Sequence, residues 1–116
     1  MNTYHIFCDL KPGASDLAFA AALSEYMEHL RAQGLVEAWR LTRRKLGLGI
    51  AGLGEFHITI DVKDLRQLDG AFELVAGRRE PVEGLHFGVN SLVENAKFAL
   101  YRDFPDAVRH VGEERF

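Results

Sequence analysis

The sequence predicts an α+β domain: a four-stranded antiparallel sheet with its helices on one face. Two observations carry that expectation. Segments 3–10 and 56–62 alternate apolar and polar residues with the period of a strand. Segments 16–33 and 64–77 carry apolar residues at helical spacing, and each directly follows one of those strands.

Taken in order, "TYHIFCDL" is the first strand, with Tyr4, Ile6, Cys8 and Leu10 on one face and Thr3, His5, Phe7 and Asp9 on the other. Pro12 and Gly13 turn the chain, and Ser15 caps a helix that runs from Asp16 to Gln33, where Gly34 stops it. Phe19, Leu23, Met27 and Leu30 form its buried stripe. "LVEAWRLTRRK" is a second strand, charged enough to lie at a sheet edge. "EFHITIDV" is the third, with Phe56, Ile58, Ile60 and Val62 facing opposite to Glu55, His57, Thr59 and Asp61. Asp64 and Gln67 have capping-box spacing at the start of a second helix, whose stripe is Leu65, Leu68, Phe72 and Val75. Pro81 opens a short third helix, with Val82, Leu85, Val89 and Leu92 or Val93 inward. "NAKFALYRDF" is the fourth strand, with Ala96, Phe98 and Leu100 on one face. That order is the split βαβ, ferredoxin-like arrangement, with an extra short helix before the last strand. It places the domain at residues 1–105 and leaves 106–116 as a charged C-terminal tail.

Composition narrows the function classes. The chain has 116 residues, 47% of them apolar, which suits one domain with a packed core. A formal charge of -3 gives no general attraction to nucleic acid or anionic membrane, and neither is an expected partner. No apolar run approaches a membrane span, and the first residues do not read as a signal sequence. Cys8 is the single cysteine, so no internal disulfide forms. Together these features predict a cytoplasmic protein.

One motif invites a cofactor. "GLGIAGLGEFHITI" contains G-x-G-x-x-G at Gly47, Gly49 and Gly52. Dinucleotide binding needs those glycines between a buried strand and a helix whose N-terminus faces the pyrophosphate. Here a strand follows them, and Arg40, Arg43, Arg44 and Lys45 precede them. The segment reads instead as a long hairpin loop, and no cofactor is expected. Leu46, Leu48, Ile50 and Leu53 are apolar, which predicts that the loop packs over the open sheet face, a ligand or a second subunit.

The sheet face without helices gathers His5, Phe7, Asp9, His57, Thr59, Asp61, Lys97 and Tyr101. Aromatic, imidazole and carboxylate groups together look like a pocket lining, and dimerisation is the simplest way to cover such a face. Strand order, size and this polar face resemble the dimeric α+β barrel superfamily over about Thr3 to Pro105. That superfamily includes stress-responsive A/B barrel proteins, small cofactor-independent monooxygenases and polyketide-type cyclases. "YHIFCDL" resembles its first strand, "FHITIDV" its third, and "LHFGVN" its histidine-bearing helical segment. The resemblance implies that His5 and His86 match catalytic positions and His57 a pocket-facing one. "REPVEGLH" stands where the family has a His-Pro-x-His run, and the loop from Leu46 to Gly54 is longer than is typical. The chain is thus placed in an uncharacterised branch.

Two functional readings remain open. In the first, the chain is a homodimeric, cofactor-independent enzyme of cyclase, isomerase or monooxygenase type. A histidine, His5 or His86, removes a proton from an aromatic or polyketide-like carbonyl compound, and His57 or Tyr101 binds the developing oxyanion. Phe7, Asp9, Trp39, Thr59 and Asn90 complete the candidate site as substrate-binding residues. In the second, the chain is a non-catalytic dimeric module for ligand binding or assembly, and His5 and His57 pair with Asp9, Asp61 or Glu55. A metal site has the right residue types but no ligand spacing, and none is assigned.

Overall fold

A computed structural model describes residues 1–113. The elements are β1 (Asn2–Leu10), α1 (Asp16–Ala32), β2 (Ala38–Arg43), β3 (Phe56–Val62), α2 (Leu65–Ala76), α3 (Val82–Asn90) and β4 (Val93–Arg102). The sheet order is β2-β3-β1-β4, with every neighbouring pair antiparallel. Both central strands, β1 and β3, are those with the cleanest alternation, and the polar β2 is an edge, as its charge predicts.

The register sorts the side chains. Ile6 lies opposite Ile58, and Phe7 opposite His57, so one row of the β1–β3 pair enters the core and the next leaves it. Phe56, Ile58, Ile60 and Val62 are buried, while His57, Thr59 and Asp61 between them are only partly so. Below the sheet, α1 contributes Phe19, Leu23, Met27 and Leu30, together with Tyr26. The two long helices start where side chains cap them. Ser15 Oγ accepts from Ala18 N at 3.2 Å, and Asp64 Oδ1 accepts from Gln67 N at 2.9 Å. Gln67 reaches back past the cap, to Lys63 N at 2.7 Å, so the box closes one residue earlier than its spacing suggests.

Three expectations need correction. The regular ladder of β2 begins at Ala38, not at Leu35: Leu35 N bonds Leu30 O and finishes α1, and Val36 drops into the core. Val93 does not belong to the α3 stripe but opens β4, opposite Leu10. The helix-side row of β4 is not covered: Phe98 and Leu100 are 61% and 49% exposed. Phe72, on the inward stripe of α2, is itself 48% exposed. It meets Tyr4 edge-on at 5.5 Å, while Phe98 stacks on the same ring at 5.9 Å. The helices thus stop short of β4, and the aromatic trio of Tyr4, Phe72 and Phe98 forms the margin of the core there.

The glycine-rich segment is a β2–β3 hairpin loop with no helix after it. Leu46, Gly47 and Gly52 have φ of 57°, 69° and 87°, so its bends use the left-handed region. The loop leans over one end of the open sheet face, where Lys97 Nζ from β4 donates to Gly52 O. Its root is tighter still: a Cβ on Gly54 would lie 2.4 Å from the carbonyl carbon and oxygen of Cys8. The backbone therefore packs as expected, and the apolar tips do not: Leu46, Leu48 and Ile50 are 84%, 78% and 73% exposed. The tail beyond Pro105 is exposed through Glu113, and 114–116 lie outside the described residues. No described helix is long and apolar enough to cross a membrane.

Gly54→Ala should destabilise the fold by about 3 kcal/mol, because the added methyl meets backbone rather than a movable side chain. A lower urea midpoint with an unchanged m value would show it; a wild-type midpoint would mean the loop root is not held against β1. Cys8 is 1% exposed, and burial followed by the neighbouring Asp9 carboxylate pushes its thiol up to about 11. A disulfide reagent at pH 8 should therefore label native protein on the order of a hundredfold more slowly than unfolded protein. Equal rates would place the thiol outside the core.

Candidate functional site

The two sheet faces hold two separate groups of candidate residues. Between the sheet and the helices lies a cavity of about 320 Å³. Its walls are Ile6, Cys8, Ile58 and Ile60 from the sheet, Leu23 and Met27 from α1, and Leu68, Ala71 and Val75 from α2. Such a lining is what an apolar small molecule requires. Phe72, Ala96 and Phe98 also line it, and all three are exposed, so the space opens toward the uncovered part of β4.

The polar groups of this cavity are few and come from three elements. His86 and Asn90 project from α3 one helical turn apart, on one face of the helix. Tyr26 of α1 meets the His86 ring edge-on at 5.8 Å. Tyr4 of β1 lies near enough to Tyr26 for the two phenols to influence each other. Burial, then the neighbouring Tyr4, pushes Tyr26 up to about 12, and burial also raises Tyr4. Both phenols therefore stay protonated at neutral pH, and Tyr26 does so beside the imidazole.

On the opposite face, β1, β3 and β4 bring together His5, Phe7, His57 and Tyr101. His5 Nδ1 and His57 Nε2 share a hydrogen bond of 2.9 Å. Phe7 stacks on the His57 ring at 4.2 Å, and Tyr101 meets the His5 ring edge-on at 5.0 Å. Partial burial, and then the neighbouring His5, lower the His57 pKa, so this ring resists taking a proton. Thr59 lies between Arg40 and His5 in the same row of the sheet.

The candidate residues thus divide. The structure brings His5, Phe7, His57 and Tyr101 together and puts His86 and Asn90 on the far side of the sheet, so no single pocket holds all three histidines. Trp39 stands outside both groups; its indole Nε1 donates to Glu28 Oε1 at 2.7 Å on the helix side of the edge strand. Asp9, next to the last residue of β1, accepts from Glu55 N at 2.9 Å. Nor do the carboxylates pair with the histidines: Asp61 accepts from Thr3 Oγ1 at 2.8 Å, and Glu55 takes Arg43 Nε at 3.2 Å. Among the described residues, no three His, Cys, Asp or Glu side chains converge as a metal-ligand set. Tyr4 and Tyr26 are the site residues that sequence reasoning missed. Tyr26 follows Leu23 by three positions and so faces inward with it, and an inward-facing phenol needs a polar neighbour.

Several solved structures share this fold at low sequence identity. A protein of Arabidopsis thaliana superposes with a TM-score of 0.70 and 10% identity, over 93% of this chain and 100% of that one. SnoaB, a cofactor-independent oxygenase from Streptomyces nogalater, gives 0.68 and 8%, over 93% and 97%. A dimeric ferredoxin-like protein of unknown function from Jannaschia gives 0.65 and 7%, over 89% and 100%. No curated protein matches the chain in sequence. The ferredoxin-like α+β fold expected from the strand order is therefore shared with this group of dimeric proteins and small monooxygenases. A family model matches residues 1–116 from end to end, and the chain belongs to that family, DUF6614, a family of unknown function.

Proposed function

We propose that the chain is a homodimer, joined through the open sheet face, in which each protomer takes one small aromatic or polyketide-like carbonyl compound into its cavity and His86 acts on it as a general base without a cofactor. The observation that carries this reading is the cavity itself. It is sized for a molecule of one or two rings, it is apolar nearly throughout, and its imidazole, its side-chain amide and its two protonated phenols include Tyr26 beside His86.

The chemistry rests on that placement. A carbon acid between carbonyl or aryl groups, lying flat against Ile58 and Ile60, presents its proton to the His86 imidazole, which accepts it. The charge left on the substrate spreads to oxygen, where the Tyr26 hydroxyl and the Asn90 amide donate hydrogen bonds. Tyr26 is buried, so its hydroxyl acts in a lower dielectric than the Asn90 amide at the cavity mouth. The enolate then has three outlets: reprotonation at another carbon, attack on a second carbonyl with ring closure, or electron transfer to dioxygen. SnoaB, similar in fold, is a cofactor-independent oxygenase, and that likeness supports the third outlet as much as any.

Dimerisation rests on the second group of residues. His5, Phe7 and His57 are partly buried and Tyr101 is 66% exposed on the sheet face that carries no helix. A ring cluster of this kind gains by being covered, and the Jannaschia protein of the same fold is described as dimeric. His5, His57 and Tyr101 then line the dimer interior rather than the cavity, and their sequence-derived catalytic roles pass to His86 and Tyr26.

Hydrogen–deuterium exchange at the acidic methylene of an aryl 1,3-diketone, followed by NMR without dioxygen, reads proton removal through the return of a solvent deuteron to carbon. Wild-type protein should accelerate it, and His86→Gln should lower the rate by about 10² to 10⁴ while binding of the diketone changes little. Ala71→Leu, which fills the cavity from α2, should abolish binding. Wild-type exchange in His86→Gln would remove the base, and unchanged binding in Ala71→Leu would move the ligand elsewhere.

A further inference from the structure

We propose that the His5–His57 pair makes dimerisation pH-dependent: the open sheet faces associate while the pair is neutral and separate when it takes up protons. This rests on the open-face dimer proposed above and adds its regulation.

The pair is poised by geometry. The two rings approach nitrogen to nitrogen at 2.9 Å, which one hydrogen satisfies: one ring donates and the other accepts. A doubly protonated pair has a hydrogen on both facing nitrogens and loses the bond. Phe7 covers the His57 ring on one side at 4.2 Å, so water reaches it poorly. The rings sit in the middle of the face that a second copy would cover, and covering it removes the remaining water that could solvate an imidazolium.

Among the described residues, no carboxylate is paired with either ring. From β2, Arg40 and Thr42 share the face, and Arg44 follows at the strand end, beside Gly49 of the loop. From β3 come Thr59 and Asp61, and the Asp61 carboxylate is already engaged by Thr3. From β1, Asp9 is turned to Glu55 N at the strand end. From β4 come Lys97 and Tyr101, and Lys97 is held to the loop at Gly52. Glu55, at the start of β3, is paired with Arg43. Two protonated histidines would add to Arg40, Arg44 and Lys97 on a face whose own carboxylates are Asp9 and Asp61, so the face gains positive charge where it meets its own copy.

The sign is fixed by linkage. His57 binds its proton less readily than a free histidine, first because it is desolvated and then because His5 is adjacent. Covering the face in the dimer takes more water from His57 and strengthens that effect. The associated state thus binds fewer protons than the separated one; association is at full strength above about pH 6.5 and weakens once pH falls through the separated protomer's own His57 value, which lies below that of a free histidine. For each proton excluded per protomer, the dimer dissociation constant rises about a hundredfold per pH unit once the separated protomer is protonated.

Sedimentation equilibrium at pH 7.5 and pH 5.5, with circular dichroism at both, tests this on the full chain. The expected result is a dimer at pH 7.5 that dissociates at least tenfold more readily at pH 5.5 with its secondary structure intact. His57→Gln, and separately the double variant His5→Gln/His57→Gln, should hold the same dissociation constant at both pH values. A wild-type dimer equally tight at pH 5.5 overturns the switch and leaves the dimer standing. An acid response that persists in both variants overturns it as well, because other groups would then carry it. Unfolding in place of dissociation also counts against it. A folded monomer at pH 7.5 overturns the dimer reading itself.

Discussion

The pairing of β1 with β3 is the constraint on which the rest of the structure depends. Because Ile6 faces Ile58 and Phe7 faces His57, successive rows of this pair alternate between the core and the open face. A slip of one residue would exchange the two sets, sending Ile58 and Ile60 to solvent and His57 and Thr59 beneath the helices. Nothing else in the molecule fixes so much at once. The cavity floor, the ring cluster opposite and the edge positions of β2 and β4 all depend on it.

One sheet, a single peptide layer thick, thus separates two chemical environments. On the helix side, the phenols of Tyr4 and Tyr26 stay protonated among aliphatic side chains, with the His86 imidazole among them. On the other side, His5 and His57 satisfy each other, with aromatic rings above and beside them. The same residue type therefore serves two ends, set by whether its partner is a second imidazole or a phenol facing an empty space. The fold requires no change of backbone for this; alternation along β1 and a single turn of α3 suffice.

Most of this architecture is legible in the sequence, because period-two alternation and helical stripes report burial directly. Segments 3–10 and 56–62 mark the central strands; Ser15 and Asp64 mark helix starts that the structure bears out. The element after the glycine fingerprint, a strand and not a helix, identifies that segment as a hairpin loop. The site is less legible. His86 and Asn90 share a helix face and can be paired from spacing alone, but Tyr26 lies sixty residues from His86 in the chain and meets it only through the packing of α1 against α3. The separation of His86 from His5 depends on which side of the sheet α3 covers, a tertiary fact. The exposure of Phe98 and Leu100 is equally hidden, since their alternation is that of a buried strand and only the reach of the helices leaves them open.

Gly54 gives this layering a mechanical meaning. Its α-carbon rests on the backbone of Cys8, whose thiol lines the cavity from the other side of the same strand. One residue of β1 is therefore a shared wall: the hairpin leans on its outer surface and the ligand-sized space begins at its inner one. The room for the hairpin root on one side and for a ligand on the other is therefore divided by the thickness of a single residue's backbone.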